Sequence, residues 1–326
     1  MTDIKRQIQQ RVAPELAAID EAIRQNLDPE VGFVSEVAGH ILFSGGKRLR
    51  PLLMVICARL CGYDHPFAIS FSTIFEYLHV ATLLHDDLVD GARLRRGKPA
   101  AHTLWSPETA VLTGDYLLAK ALSIAALAED TRIIAAIGRI TENMAQGEIH
   151  QIQRKRDITL SETEYDEVIR RKTAVLFEGA CRISALLAKA SEERVKALAD
   201  YGYHLGMAFQ MIDDLIDYTQ DAAVTGKAPG ADIREGKMTL PLIHGLRYAS
   251  ETEVQWIAGL VGGGTLSEAD FQRLYALLET WGSFDYTRQR ALAHVEAAKA
   301  SLGCFEPSEL RTLLETVADY CLKRES

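Results

Sequence analysis

The distribution of proline constrains the fold of this chain more than any other feature of its sequence. No proline occurs between Pro107 and Pro229, and this stretch is rich in alanine, leucine, isoleucine, glutamate and arginine. An interior proline breaks an α-helix, whereas these residues favour one, so the stretch predicts consecutive helices joined by short turns. Apolar residues recur at helical spacing, and the alternation typical of half-buried strands is absent. The sequence therefore predicts an all-α protein.

Serine residues mark where several of these helices should begin. Ser106 precedes a proline and a glutamate, which is the order of an N-cap, a first-turn proline and an acid near the positive end of the helix. Ser161 and Glu164 have the spacing of a capping box, which predicts a helix that continues to about Lys189. Ser267 follows three consecutive glycines and should begin another helix.

Composition excludes several classes of protein. The chain has 326 residues, of which 48% are hydrophobic and 25% charged, and its net charge of -9 disfavours a general nucleic-acid binder. The N-terminus is polar and no run of 18 apolar residues occurs, so we expect a cytoplasmic protein with no signal peptide and no transmembrane segment. The five cysteines have no metal-site spacing and are expected to be reduced thiols. No linker divides the chain, which predicts one domain over residues 1–326, with the motifs at about 40–245 and further helices at 246–326.

The first candidate metal site is an apolar helix that ends in three carboxylates. Asp86, Asp87 and Asp90 follow the apolar segment that begins at Tyr77. Asp86 and Asp90 are one helical turn apart on the same face, while Asp87 is rotated from them by roughly 100°. Paired carboxylates are hard oxygen ligands for Mg²⁺, which completes its shell with water and phosphate oxygens. This spacing therefore indicates a magnesium site.

A second aspartate motif repeats this spacing in the same apolar setting, at Asp213, Asp214 and Asp217. The alternative is that each motif is a solvated acidic helix end. Carboxylates at a helix C-terminus oppose the helix dipole, and their position beside apolar residues would be costly without a counter-ion. Two copies with one spacing favour the metal-binding interpretation over the surface interpretation.

Basic residues accompany both aspartate motifs. Any single basic group is ordinarily a solvated turn, but a diphosphate bound to Mg²⁺ needs carboxylates for the metal and cations for the remaining phosphate oxygens. The relevant basic residues are Lys47 and Arg50 behind a glycine pair, Arg95 and Arg96 after the first motif, Lys172 within a helix, and Lys227 and Lys237 after the second motif.

In order and spacing, the segments GGKRLRP, HDDLVD with RLRRGKP, KTA, FQMIDDLID and GKAPGADIREGKMTLP resemble the trans-polyprenyl diphosphate synthases. The resemblance implies a single-domain helical bundle around a central cavity, and a homodimer. It also implies that isopentenyl diphosphate is condensed with an allylic diphosphate such as farnesyl or geranyl diphosphate, with about three Mg²⁺ ions as cofactor. Charge that develops on the departing diphosphate would be stabilised, and the isopentenyl double bond would attack the resulting allylic cation.

The resemblance also assigns roles residue by residue. Metal ligands would be Asp86, Asp90 and Asp213, supported by Asp87, Asp214 and Asp217. Isopentenyl diphosphate would contact Lys47, Arg50, His79 and Arg96. The allylic diphosphate would contact Arg95, Lys172, Thr173, Gln210, Lys227 and Lys237. The expected catalytic residues are Asp86, Asp90, Asp213, Lys172 and Lys227. Without the resemblance, His79 would be read as a core histidine on an apolar helix.

The family resemblance further implies that residues one and two turns before the first motif form the floor of the product tunnel. The positions concerned are Ala81, Thr82, Leu78, Phe75 and Ile74. Short-chain enzymes carry an aromatic where this chain has Ala81 and Thr82, so the tunnel should extend ~18 Å toward Ile74. We therefore expect a product of about six to ten isoprene units at this depth, as in octaprenyl diphosphate synthases that serve quinone side chains. Geranylgeranyl diphosphate is the alternative product if Leu78 or Phe75 closes the tunnel.

Two other functions fit these motifs less well. A terpene cyclase shares the helical fold, but its second metal motif is normally of a different type and it needs no second diphosphate site. A non-catalytic partner subunit should have degraded aspartate motifs, and both are intact here. A catalytic subunit of a heteromeric synthase remains an alternative, since sequence does not show what covers the dimer surface.

Overall fold

The computed structural model describes residues 3–219, 229–263 and 265–325, and within them it is helical almost throughout. The all-α prediction is confirmed. One two-stranded hairpin, which the sequence did not indicate, interrupts the helices. The helices are α1 (Asp3–Asn26), α2 (Gly32–Leu42), α3 (Leu49–Leu60), α4 (Phe67–Val89), α5 (Ala101–Leu104), α6 (Pro107–Ala126), α7 (Thr131–Gln153), α8 (Glu162–Ile169), α9 (Val175–Leu187), α10 (Glu192–Thr219), α11 (Ala231–Arg234), α12 (Leu240–Gly245), α13 (Glu251–Val261), α14 (Glu268–Thr280), α15 (Ser283–Ser301) and α16 (Glu309–Leu322). The hairpin strands are β1 (Leu94–Arg95) and β2 (Lys98–Pro99), and short 3₁₀ turns occur at Leu302–Cys304 and Lys323–Glu325.

The helix starts that the sequence predicts are present. The Ser106 hydroxyl accepts a hydrogen bond from the Thr109 N–H at 3.1 Å, at the beginning of α6. Ser161 and Glu164 form the reciprocal capping box of α8. The helix expected after Ser161 is not continuous, however, because a π-helical turn at Arg170–Ala174 separates α8 from α9. No residue pattern signals this turn, which carries two of the predicted site residues.

The two helices that carry the aspartate motifs lie in the centre of the bundle. α4 packs against α3 and α6, and α10 packs against α9 and α15. The buried hydroxyl of Tyr77 in α4 donates to the carbonyl of Ile23 in α1 at 2.8 Å. The buried hydroxyl of Tyr201 in α10 donates to the carbonyl of Leu314 in α16, also at 2.8 Å. Helices from both ends of the chain are thereby fixed to the motif helices, which holds the site on a rigid frame.

By length and composition alone, α4 and α6 are each apolar enough to cross a membrane. In α4, 67% of the apolar window is buried inside the protein, as is usual for the central helix of a soluble bundle. In α6 only 39% is buried. The apolar character of α4 is thus explained by the core, whereas most of the apolar window of α6 is not buried inside the protein.

Candidate functional site

The first aspartate motif lies at the C-terminal end of α4, where lysines surround its carboxylates. Asp90 faces two of them, since its Oδ1 lies 3.2 Å from Lys155 Nζ and its Oδ2 lies 3.4 Å from Lys237 Nζ. Burial alone would raise the pKa of Asp90, but the two lysines outweigh it and hold that pKa below its ordinary value. Asp86 is less well compensated, because Lys172 Nζ lies 3.9 Å from its Oδ2. Burial consequently raises the pKa of Asp86 to about 6.

The third carboxylate of this motif fixes the hairpin that follows it. Asp87 is 1% exposed, and its Oδ1 accepts a hydrogen bond of 2.8 Å from Arg95 Nε. Arg96 and Gly97 both have positive φ, 53° and 75°, as in the tight two-residue turn that favours glycine at its second position. The turn brings the guanidinium of Arg96 onto the carbonyl of Gly45. The basic residues after the first motif are thereby folded back against the glycine pair that precedes α3.

In the second motif each carboxylate has a different partner. Asp213 is more than one third exposed and pairs with Arg324 at 2.5 Å. Asp214 is buried and accepts hydrogen bonds from Tyr165 Oη at 2.6 Å and Gln210 Nε2 at 2.8 Å. Burial still raises the pKa of Asp214 to about 7. Asp213 is therefore the exposed carboxylate of this motif, and Asp214 is a buried one.

The last aspartate of the second motif fixes the loop that leads to Lys237. Asp217 accepts hydrogen bonds from the backbone N–H groups of Ala231 at 3.2 Å and Asp232 at 3.1 Å. Asp232 is half-buried, and desolvation followed by the charges of Asp217 and Asp214 raises its pKa well above the ordinary value. Lys237 stands beside this acidic group and reaches across to Asp90.

The π-helical turn brings Lys172 and Thr173 to one cavity. Lys172 Nζ donates to Gln151 at 2.7 Å and pairs with Glu148 on α7. The Thr173 hydroxyl donates to Gln210 Oε1 at 2.7 Å, one turn before Asp214 on α10. The turn is therefore connected to α7 and α10. A cavity of about 110 Å³ lies beside these elements, and its lining includes Lys155, Lys172, Thr173, Gln210, Asp214 and Lys237.

The residues predicted to bind isopentenyl diphosphate form a second group around α3 and α4. Arg50 is stacked over Phe177 with its guanidinium carbon 4.5 Å from the ring centroid, and burial lowers its pKa to about 10. Burial lowers the pKa of His79 well below its ordinary value, and the charges of Arg50 and Arg96 lower it further. His79 is consequently neutral among cations, a setting that favours an anionic ligand. Lys47 is exposed and lines an apolar cavity of about 180 Å³.

The structure separates residues that the sequence could not distinguish. Arg48 stands between Lys47 and Arg50, but it has φ of 47° and is buried in ion pairs with Asp20 and Glu76. It therefore stabilises the loop and is not available to a ligand. Of the other predicted residues, Lys227 lies outside the described part of the chain.

Three residues of the site were missed by the sequence reasoning. Lys155 belongs to a basic run of three that could have been noticed, Tyr165 is an ordinary apolar position of α8, and Arg324 lies near the end of the chain without any motif. Their roles depend on tertiary contacts with Asp90, Asp214 and Asp213, respectively.

The predicted floor of the product tunnel lies along α4 below Asp86. Thr82 is half-buried one turn before that aspartate, whereas the other positions are buried in the core. These positions are Ala81, Leu78, Phe75 and Ile74.

The carboxylates at the end of α4 fit a small, hard cation. Within the described residues, no three acidic, histidine or cysteine side chains are close enough to chelate one ion by themselves. Mg²⁺ usually takes only one or two protein carboxylates and completes its shell with water and phosphate oxygens. Asp87 Oδ2 is also buried with no hydrogen-bond partner among the described residues, so the end of α4 has unused acceptor capacity. The residues present therefore fit divalent-metal binding together with a phosphorylated ligand.

Comparison with known proteins agrees with this geometry. The family model for polyprenyl synthetases matches residues 32–278. The chain is 33% identical over 318 residues to octaprenyl diphosphate synthase of Escherichia coli K12, covering 98% of each chain. It is 32% identical over 314 residues to geranylgeranyl diphosphate synthase of Methanosarcina mazei, covering 95% of this chain and 94% of that one. Among solved structures, a polyprenyl synthase of Caulobacter crescentus in complex with calcium and isoprenyl diphosphate has a TM-score of 0.93 at 36% identity, over 99% of this chain and 98% of that one.

Proposed function

Because this chain belongs to the polyprenyl synthetase family, we propose that it condenses isopentenyl diphosphate with an allylic diphosphate in a Mg²⁺-dependent reaction. The chain is a prenyltransferase, and its family uses isoprenyl diphosphate substrates with a divalent metal. One observation supports the proposal most strongly. The carboxylates of the first motif face three lysines, and these lysines line one cavity together with Asp214 of the second motif. Such a cavity suits a ligand that brings both phosphate oxygens and metal ions.

In this proposal, Asp86, Asp90 and Asp213 hold the metal ions, with Asp87, Asp214 and Asp217 in supporting positions. When bound, Mg²⁺ would neutralise charge on the departing diphosphate. Lys172, Thr173, Gln210 and Lys237 would hold the allylic diphosphate, together with Arg95 and with Lys227 from outside the described residues. The neutral imidazole of His79 would donate a hydrogen bond to isopentenyl diphosphate, between the cations of Arg50 and Arg96 and with Lys47 at the edge.

The proposed chemistry proceeds by charge stabilisation and exclusion of water. The cations around the cavity would favour cleavage of the allylic carbon–oxygen bond, which leaves an allylic cation and diphosphate. The isopentenyl double bond would attack this cation, and the released diphosphate is the proposed acceptor of the proton that is then lost. The buried apolar residues of α4 would shield the cation from water, which would otherwise quench it.

We propose a long-chain product of the octaprenyl type for use in quinone side chains, of about six to ten isoprene units in a tunnel of ~18 Å. The small side chain of Ala81 and the octaprenyl relative support this length. Geranylgeranyl diphosphate is the second candidate. It is favoured by the bulk of Leu78 and Phe75 in the core and by the relative from Methanosarcina mazei.

We further propose that the enzyme is a cytoplasmic homodimer that pairs through α6. Leu112 is 66% exposed and Leu122 45% exposed on this helix, which suits an apolar interface with a second copy. A catalytic subunit that needs a different partner is the alternative. Light scattering after size-exclusion chromatography distinguishes them, since a purified monomer without activity would favour the heteromer.

The reaction itself is tested with purified protein, Mg²⁺, isopentenyl diphosphate and farnesyl diphosphate. Products are dephosphorylated and sized by chromatography, with parallel reactions that contain a chelator or geranyl diphosphate as the primer. Long polyprenols that require Mg²⁺ are expected. No extension of any primer would refute the proposed function, and a cyclic hydrocarbon would favour a terpene cyclase.

A further inference from the structure

A run of three basic residues, Arg154, Lys155 and Arg156, follows the end of α7 and has no assigned role. The first of them is engaged by neighbouring acids. Arg154 pairs with Asp157 at 2.6 Å and with Glu164 at 3.2 Å, which attaches it to the beginning of α8. Local ion pairs thus account for Arg154, whereas the middle lysine reaches Asp90 on α4.

The position of Lys155 is set by the backbone on its C-terminal side. Arg156 has φ of 68°, and its N–H donates to the carbonyl of Gly236 at 2.7 Å. Gly236 directly precedes Lys237, so this hydrogen bond places the two lysines side by side. Their Nζ atoms approach the two oxygens of one carboxylate, Asp90 Oδ1 and Oδ2, at 3.2 and 3.4 Å.

A structural ion pair needs one cation for one carboxylate, whereas Asp90 has two lysines. Lys237 also pairs with Glu235 and keeps that partner if Asp90 binds a metal ion. The ion pair of Lys155, within the described residues, is with Asp90. Lys155 lines the cavity beside Asp214 and is 30% exposed. Its charge is therefore directed at the place where a ligand of Asp90-bound metal would present oxygen atoms.

We propose that Lys155 is a further diphosphate-binding residue, which contacts a phosphate oxygen of the allylic substrate beside Lys172 and Lys237. This inference rests on the proposed function, because it assumes that the cavity beside Asp214 holds a diphosphate with divalent metal. Lysine is suited to the role, since it supplies a compact charge and three donors on a flexible stem. The competing explanation is that Lys155 only neutralises Asp90.

The test replaces Lys155 with methionine, which removes the charge and keeps the length of the side chain. Lys155→Arg is the rescue variant. Lys196→Met is the matched control, because Lys196 is also ion-paired but lies on the exposed surface of α10. For each protein we would measure KM for farnesyl diphosphate, KM for isopentenyl diphosphate, and inhibition by inorganic diphosphate with Mg²⁺. Calorimetric titration of inorganic diphosphate and Mg²⁺ measures the same contact without turnover.

For Lys155→Met we expect KM for the allylic substrate and the dissociation constant of inorganic diphosphate to rise about tenfold, as for a lost charged hydrogen bond. KM for isopentenyl diphosphate should change less than about twofold, and Lys155→Arg should recover most of the affinity. Lys196→Met should behave as the wild type.

Unchanged diphosphate affinity in Lys155→Met would overturn the proposal. If that variant also needed less Mg²⁺ for half-maximal activity, the role of Lys155 would be the neutralisation of Asp90. Should Lys155→Met fail to fold, Lys155→Gln is measured in its place. A wild-type protein that extends no primer would refute the proposed function, while the calorimetric comparison would still decide whether Lys155 contacts diphosphate.

Discussion

Two glycines of α7 should respond in opposite directions to the same substitution. Gly147 faces the π-helical turn, and a Cβ at this position would lie 2.9 Å from the backbone nitrogen of Lys172 and 2.9 Å from Arg171 Cβ. Gly138 lies on the same helix with no atom within 4 Å of its added Cβ. Gly147→Ala therefore tests the approach of the turn that carries Lys172, and Gly138→Ala controls for the change in helix propensity.

The magnitudes follow from these distances. Ordinary contact at a Cβ begins at 3.4 Å, so Gly147→Ala must push the turn away by roughly 0.5 Å. Overpacking of this kind costs about 1–3 kcal/mol, and improved helix propensity returns about 0.5–1 kcal/mol, so the free energy of unfolding should fall by about 0.5–2 kcal/mol. Gly138→Ala should raise it by about 0.5–1 kcal/mol. Because a catalytic misplacement of ~1 Å can cost about a hundredfold, kcat/KM for the allylic substrate should fall about tenfold in Gly147→Ala alone.

The assays are chemical denaturation followed by circular dichroism, and initial rates of prenyl transfer at saturating isopentenyl diphosphate. Both variants have alanine in the same helix, so a general effect on α7 would move them together. The reasoning about Lys172 would be refuted if Gly147→Ala were as stable and as active as Gly138→Ala. Loss of stability with full activity would show that the turn relaxes without moving the lysine.

Three further outcomes are expected. Ala81→Phe should shorten the product to about three or four isoprene units, because an aromatic side chain would close the tunnel about one turn below Asp86; chromatography of the dephosphorylated products measures this, and an unchanged length would place the floor elsewhere. Tyr165→Phe removes a 2.6 Å hydrogen bond to buried Asp214, so the free energy of unfolding should fall by about 1.5–3 kcal/mol, and denaturation showing no loss would contradict the role of that hydroxyl. Because the pKa of Asp86 is raised to about 6, its protonated carboxyl group stabilises the folded protein at low pH. This stabilisation is lost as the pH rises from about 4 to 6. Since Mg²⁺ binds the ionised form, the increase in melting temperature that Mg²⁺ causes should be larger at pH 7.5 than at pH 5.5, and the reverse order in a thermal scan would contradict this assignment.

The elements that local chemistry determines were predictable from the sequence. Ser106 and Ser161 bond to backbone groups only three residues away, so their caps depend on little else. The apolar spacing likewise predicted the helices, and the long motifs predicted the family. The π-helical turn was not predictable, because Gly147 on a different helix permits its close approach. Local signals thus predict helix ends, while distortions that depend on a neighbouring helix require the structure.

The same distinction explains the candidate site. Charge type and spacing identified both aspartate motifs, yet the sequence could not tell which cation of a basic run faces the cavity. Arg48 is turned into the protein by its left-handed backbone, and Lys155 is turned into the cavity because Arg156 binds Gly236. Each outcome is set by the backbone conformation of one residue and one tertiary partner, neither of which has a sequence pattern.

Identical spacing in the two aspartate motifs does not give them identical environments. In the first motif, Asp86 and Asp90 both face lysines, so a bound metal and its phosphate ligand would replace ion pairs at two positions. In the second motif, two of the three carboxylates already serve the protein, because Asp214 accepts from Tyr165 and Asp217 caps α11. Asp213 is the most exposed of them and pairs with Arg324. Under the proposed function, the first motif would therefore offer two carboxylates to metal ions and the second motif one, so a diphosphate and its metal ions would be held mainly by α4 and closed from α10.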